Sequence, residues 1–98
     1  MTTPVFDATI HPSTRLQICA VLAPLDEVEF AVVRDEVGVS DSVLSKQAGQ
    51  LEAAGYVQVI KRTVNTRQRT WLALASQGRK AFASHMAELQ RLAEAAGV

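Results

Sequence analysis

Gly38-Val39-Ser40-Asp41-Ser42-Val43-Leu44-Ser45-Lys46-Gln47-Ala48-Gly49-Gln50-Leu51-Glu52-Ala53-Ala54-Gly55-Tyr56-Val57 is the stretch whose reading decides the fold. Gly38-Val39 reads as a tight connection and Ser40 as an N-cap, whose hydroxyl can accept from a backbone N–H of the first turn. Leu44, Ala48 and Leu51 recur at helical spacing as a buried stripe, so a helix is predicted over 40–54, ending at Gly55. Opposite that stripe, Ser42, Ser45, Lys46, Gly49 and Ala53 point away, with Val43 and Gln50 on the flanks.

Upstream, Val33 and Val37 mark a short helix that Gly38 ends, and Val28-Glu29-Phe30 reads as a very short strand before it. Before the acidic loop Pro24-Leu25-Asp26-Glu27, a first helix opens near Pro12-Ser13, with Leu16, Cys19, Ala20 and Ala23 as its apolar positions. Two helices joined by a short glycine-containing turn have the geometry of a helix-turn-helix, whose second helix can enter a major groove. Downstream, 56–60 and 70–74 are rich in β-forming residues and flank a polar basic segment, which predicts a hairpin. A turn centred on Asn65-Thr66 sets Val57 and Val59 opposite Leu74 and Leu72 on the core face. The same register puts Arg62 opposite Arg69 on the outer face, where Trp71 covers Ile60. Like charges so placed are unfavourable unless a phosphate sits between them.

The ninety-eight residues make one domain with little room for a second function, and with 48% apolar residues they can bury a core. No apolar run approaches a membrane span and the start lacks the layout of a signal peptide, so a cytoplasmic protein is expected. Net charge is zero, but residues 1–60 carry three basic against eight acidic side chains, and residues 61–98 carry seven against two. Lys61, Arg62, Arg67, Arg69, Arg79 and Lys80 share a stretch without an acid, and nucleic-acid phosphate responds to such local positive potential. Cys19, the only cysteine, excludes an internal disulfide and reads as a small core residue. No nucleophilic triad, phosphate loop or paired acid is present, and His11 and His85 stand isolated in the sequence, so neither an enzyme nor a metal or cofactor is expected. His11 is assigned to the start of the first helix and His85 to the surface or dimer seam of the last.

That last helix, beginning after Ser76 as a cap, carries Phe82, Met86, Leu89 and Ala93 along one face, a stripe too long for one small domain to use. Pairing with the same helix of a second chain is expected, with the first helix and Val5-Phe6 able to join.

Leu51 to Val57 together with Arg67-Gln68-Arg69-Thr70-Trp71-Leu72-Ala73-Leu74 resembles the end of a recognition helix and the returning wing strand of the MarR/ArsR-like winged-helix regulators. His11-Pro12 with Arg15-Leu16, Gly38-Val39-Ser40-Asp41 with Leu44-Ser45, and Gln77-Gly78-Arg79 are similar to the small stand-alone winged-helix DNA-binding domains. The resemblance covers roughly 11–92. It implies a mainly α fold with a small β-hairpin, a winged helix-turn-helix with an extended C-terminal helix, acting as a homodimer on double-stranded DNA. On that reading 1–10 is an N-terminal arm, 11–75 the DNA-binding domain and 76–98 the dimerisation helix. Ser42, Val43, Ser45, Lys46 and Gln50 face the major groove, and Lys61, Arg62, Arg67 and Arg69 the backbone or minor groove. Gly49 departs from the family, whose members often carry a basic residue there, and Val32, Val43 and Trp71 are apolar where polar residues are usual. Those apolar positions and the neutral charge fit the alternative of a protein-interaction module. Many relatives respond to a small molecule bound between dimer halves, but no residue here identifies such an effector.

Overall fold

The computed structural model describes residues 4–98, so Met1, Thr2 and Thr3 of the expected arm lie outside the described residues. The element order is α1 (Ser13–Leu22), β1 (Val28–Glu29), α2 (Phe30–Val37), α3 (Asp41–Ala53), β2 (Val57–Val64), β3 (Arg67–Leu74) and α4 (Ser76–Ala95). The expected fold class is therefore observed, with one addition: β1 joins the hairpin on the far side of β3, giving an antiparallel sheet of order β1-β3-β2.

Local chemistry sets the boundaries. Ser40 caps α3 by accepting from the Val43 N–H at 3.2 Å. At the other end Gly55, at φ 80°, carries the chain out of the helix, and the Tyr56 and Gly55 N–H groups donate to the Leu51 and Glu52 carbonyls. The hairpin turns at Asn65 and Thr66, both at positive φ, which is the tight turn that matches strand twist. Val57 faces Leu74, Val59 faces Leu72, Ile60 faces Trp71 and Arg62 faces Arg69, the register expected, although the strands run further than predicted, to Val64 and from Arg67.

The core gathers Ile18, Cys19 and Leu22 of α1, Val33 of α2, Leu44, Ala48 and Leu51 of α3, and Val57, Leu72 and Leu74 of the sheet. Burial raises the Cys19 thiol to about 11, with Asp7 adding to the rise, so it stays protonated and unreactive. Two expectations need correction. Ala20 is exposed, and α1 buries Ile18 and Leu22 in its place, because the larger side chains gain more from leaving water. Ser76 is not a cap: Ala75, in extended conformation, precedes the helix without a side-chain bond, and its N–H donates to the Tyr56 carbonyl.

The arm is packed rather than loose. Ile10 is fully buried, the Val5 N–H donates to the Ser84 carbonyl at 3.3 Å, and Tyr56 Oη donates to the Asp7 carboxylate at 2.8 Å. α4 meets the rest of the molecule through its first half, where a Cβ on Gly78 would collide with the Tyr56 carbonyl. Its second half projects, and the molecule measures 53 × 26 × 21 Å.

The two helical glycines should respond oppositely to alanine. Helix propensity favours alanine by about 1 kcal/mol at either position. At Gly49 nothing lies within 4 Å of an added Cβ, so Gly49→Ala should gain about 0.5–1 kcal/mol. At Gly78 the added carbon meets backbone, and the displacement should outweigh propensity for a net loss of about 1–3 kcal/mol. Urea unfolding followed by circular dichroism measures both, and equal shifts of the same sign would contradict the assigned packing.

Candidate nucleic-acid interface

α3 packs through its Leu44, Ala48, Leu51 stripe and leaves Ser42, Val43, Ser45 and Lys46 exposed on one continuous face. Between that helix and the sheet lies a cleft of about 460 Å³, with Ser45, Gly49 and Glu52 on one wall, Lys61 and Thr70 on the other, and Phe30 and Leu72 at its base. Lys61 comes to the cleft because strand alternation puts it on the same face as Val57 and Val59. Ser45 and Lys61 are thus brought to one concavity, with Lys46 beside it on the exposed side of α3. Lys46, Lys61 and Arg67 make no ion pair among the described residues.

The outer face of the hairpin behaves differently. Arg62 and Arg69 stand opposite each other as expected, but each has a carboxylate of its own. Arg62 donates from both terminal nitrogens to Glu27, at 2.5 and 3.1 Å, and its guanidinium lies 5.2 Å from the centre of the Trp71 ring. Arg69 donates to Glu29 at 3.1 Å. The Arg62 bonds hold the Glu27 carboxyl below its ordinary range. Contrary to expectation, this like-charge pair therefore needs no phosphate: β1 and the loop before it supply the neutralising charge. All four side chains are about a third or more exposed, so each pair contributes little and a phosphate can exchange for it.

Gln50 is also engaged from within. Arg15 on α1 donates from Nη1 to Oε1 of Gln47 at 2.9 Å and to Oε1 of Gln50, while its Nε donates to the Thr9 carbonyl at 2.5 Å. An arginine has only donors, so both amide oxygens turn inward and both NH₂ groups outward. Gln50 then offers the outside a donor, whereas pairing with adenine needs its oxygen as well. Near the start of α3, Arg34 donates to Asp35 and Asp41, each at 2.9 Å, which balances the acid at the mouth of the cleft. Neither the Arg15 clamp nor the glutamate partners can be seen in local sequence patterns, since they link residues 32–40 positions apart.

Of the residues assigned to a dimer seam, Phe82 packs against the chain's own core, Leu89 and Ala93 are half-buried, and Met86 is exposed. Leu92, Val5 and Phe6 are exposed as well. His85 is neither at the surface nor isolated: it is fully buried, and its Nε2 lies 3.3 Å from Nδ1 of His11. It sits three residues after Phe82 and so falls on the packed face of α4. Among the described residues no cluster of His, Cys, Asp and Glu could hold a metal ion, and no helix is long and apolar enough to cross a membrane.

Comparison with known proteins agrees with this geometry. An uncharacterized protein of Methanocaldococcus jannaschii is 28% identical over 80 residues, covering 82% of this chain and 87% of that one. A transcriptional regulator homologue from Pyrococcus horikoshii has the same fold, with a TM-score of 0.86 at 19% identity over 92% of this chain and 89% of that structure. The PcaV transcriptional regulator from Streptomyces coelicolor, solved with its natural ligand, gives a TM-score of 0.72 at 16% identity; the match covers 87% of this chain and 58% of that longer one. A MarR-family regulator from Silicibacter pomeroyi gives 0.65 at 20% identity, over 88% of this chain and 60% of that one. Residues 14–93 match the family described as the winged helix DNA-binding domain, and with most of the chain so matched the protein belongs to that family, in the winged helix-turn-helix form shared with the MarR regulators.

Proposed function

We propose that the protein is a transcriptional regulator that binds double-stranded DNA as a homodimer, with 40–54 in the major groove and 61–69 along the backbone or minor groove. The observation that carries this reading is the open face of Ser42, Val43, Ser45 and Lys46 on α3, set beside a cleft whose other wall bears Lys61. Ser42, Ser45 and Lys46 offer hydrogen bonds to base edges, and Val43 an apolar contact for a thymine methyl. Lys61 and Arg67 meet phosphate directly, whereas Arg62 and Arg69 must first leave Glu27 and Glu29. Gln50 contributes a donor, to phosphate or to a base acceptor.

In this reading 1–10 is an N-terminal arm, 11–75 the DNA-binding unit and 76–98 the pairing helix. The exposed Met86 and Leu92 with the half-buried Leu89 and Ala93 support a seam between two copies, and the exposed Val5 and Phe6 extend it. A two-fold dimer also matches the symmetry of paired operator half-sites. The ligand bound to the Streptomyces coelicolor regulator supports a small-molecule effector for this chain too, seated between the dimer halves.

The reading is tested by titrating specific and scrambled duplexes across a salt series. Arg67→Ala should weaken binding to both alike and flatten the slope of log affinity against log salt by about 0.9 for each phosphate no longer neutralised. Lys46→Ala should cost about 1–3 kcal/mol on the preferred site and less on the scrambled one. Glu29→Gln, which releases Arg69, should raise affinity on both duplexes and steepen the slope. If neither Arg67→Ala nor Glu29→Gln moves the slope, the wing does not touch DNA and the protein-interaction reading takes its place. For the dimer, light scattering should show two chains for the unmodified protein and one for the double variant Met86→Glu, Leu89→Glu; a monomeric unmodified protein would remove the seam.

A further inference from the structure

The arm meets α4 through two imidazoles whose protons are fixed by their neighbours. The Asp7 N–H donates to Nδ1 of His85 at 2.9 Å, and an amide N–H can do nothing else, so Nδ1 holds a lone pair. The neutral His85 ring then carries its proton on Nε2 and donates it to Nδ1 of His11, 3.3 Å away. His11 in turn keeps its own proton on Nε2. This arrangement admits no further proton. On His85 an added proton must go to Nδ1, where it meets the Asp7 N–H; on His11 it must go to Nδ1, where it meets the N–H of His85. Phe6 packs on both rings, at centroid distances of 4.5 and 5.0 Å, and holds them in this orientation.

We infer that the His11 and His85 pair is a proton-operated latch: one proton added to the buried His85 ring releases the segment 5–11 from α4. His85 is fully buried with both ring nitrogens engaged, while its partner His11 is exposed. Asp7 of the arm brings a carboxylate to the pair, and the same carboxylate acts on the Cys19 thiol of α1 and accepts from the Tyr56 hydroxyl. Asp7 favours a charged His85, but its carboxylate is already engaged by the Thr9 and Ile10 N–H groups and by Tyr56. Burial and the neighbouring His11 outweigh it and hold His85 below its ordinary value. A base so depressed leaves the folded state short of protons relative to the unfolded one. The latch's stability is therefore complete above the ordinary imidazole value of 6.5 and falls as pH drops below it.

Release reaches α3, because the Thr9 carbonyl that anchors Arg15 belongs to the same segment and Arg15 orients Gln47 and Gln50. Only this consequence rests on the DNA-binding reading, and it is weaker binding in acid.

The latch itself is read by NMR on the full chain at about pH 7.5 and about pH 5.5, either side of the ordinary imidazole range. At the higher pH both rings should be Nε2–H tautomers and the Asp7 amide protected from exchange. At the lower pH the Asp7 protection factor should fall about tenfold or more while that of Leu44 in the core holds. His85→Gln cannot take a proton and should lose most of this pH dependence; His11→Gln keeps the buried ring, should retain it, and stands in should His85→Gln fail to fold. Unchanged Asp7 protection between the two conditions, a folded His85→Gln variant as pH-dependent as the unmodified protein, or a His11→Gln variant without pH dependence, overturns the latch. Affinity for a mixed-sequence duplex, measured alongside, should drop in acid more for the unmodified protein than for His85→Gln. Absence of binding at the higher pH sinks the DNA reading and leaves the exchange data to decide the latch.

Discussion

Tyr56 is where four parts of the chain are tied together, and the placement of the interface follows from that junction. Its N–H closes the end of α3 on Leu51, its carbonyl receives the Ala75 N–H, and the same carbonyl lies against Gly78 so closely that no side chain fits. Its hydroxyl donates to Asp7. One residue thus sets where the recognition helix stops, where the hairpin returns, how α4 leaves the sheet and where the arm lies. The angle between α3 and α4 is fixed by backbone contact, which is stiffer than contact between side chains. In a two-fold pair joined through α4, that stiffness would carry over to the separation of the two α3 helices.

Electrostatics divides the basic hairpin into two populations. Residues on its inner face, such as Lys61, look into the cleft and have no ion-pair partner among the described residues, while Arg62 and Arg69 on the outer face are balanced by glutamates from the β1 region. A chain of zero net charge thus leaves Lys61 without an ion pair where the inner strand face meets α3, with Asp41 and Glu52 lining the same cleft, and balances Arg62 and Arg69 on the outer face. Arg62 is held twice, by Glu27 and by the face of Trp71, so the apolar residue that looks out of place on the wing serves to orient a cation.

Much of the fold is legible because it is written in local signals. Ser40, Gly38 and Gly55 bracket α3, the stripe Leu44, Ala48, Leu51 gives its buried face, and alternation about Asn65-Thr66 fixes the hairpin register. The parts that are not legible depend on contacts distant in sequence. Glu27 and Glu29 look like loop acids until β1 is known to pair with β3. Gln50 reads as a base reader until α1 brings Arg15 against it. His85 reads as a surface residue because histidine is polar, although its spacing from Gly78 and Phe82 puts it on the packed face of α4. What it packs against is a second imidazole and an arm, and nothing in helical periodicity announces either. The α1 stripe misleads for a simpler reason: alanines fit either face, so Ile18 and Leu22 decide which one turns inward.

The sheet order leaves β2 with a neighbour on one side only. Its strand, Val57-Gln58-Val59-Ile60-Lys61-Arg62-Thr63-Val64, is β-prone throughout, and a free row of N–H and C=O groups on such a strand is a template for pairing with other chains. Lys61 and Arg62 interrupt it with charge midway along its length, where edge-to-edge association would otherwise begin. Lys61 and Arg62 thus act as gatekeepers of solubility. Removing that charge would create a tendency to aggregate, so the basic character of this segment would persist under selection even in a descendant that had lost every use for nucleic acid.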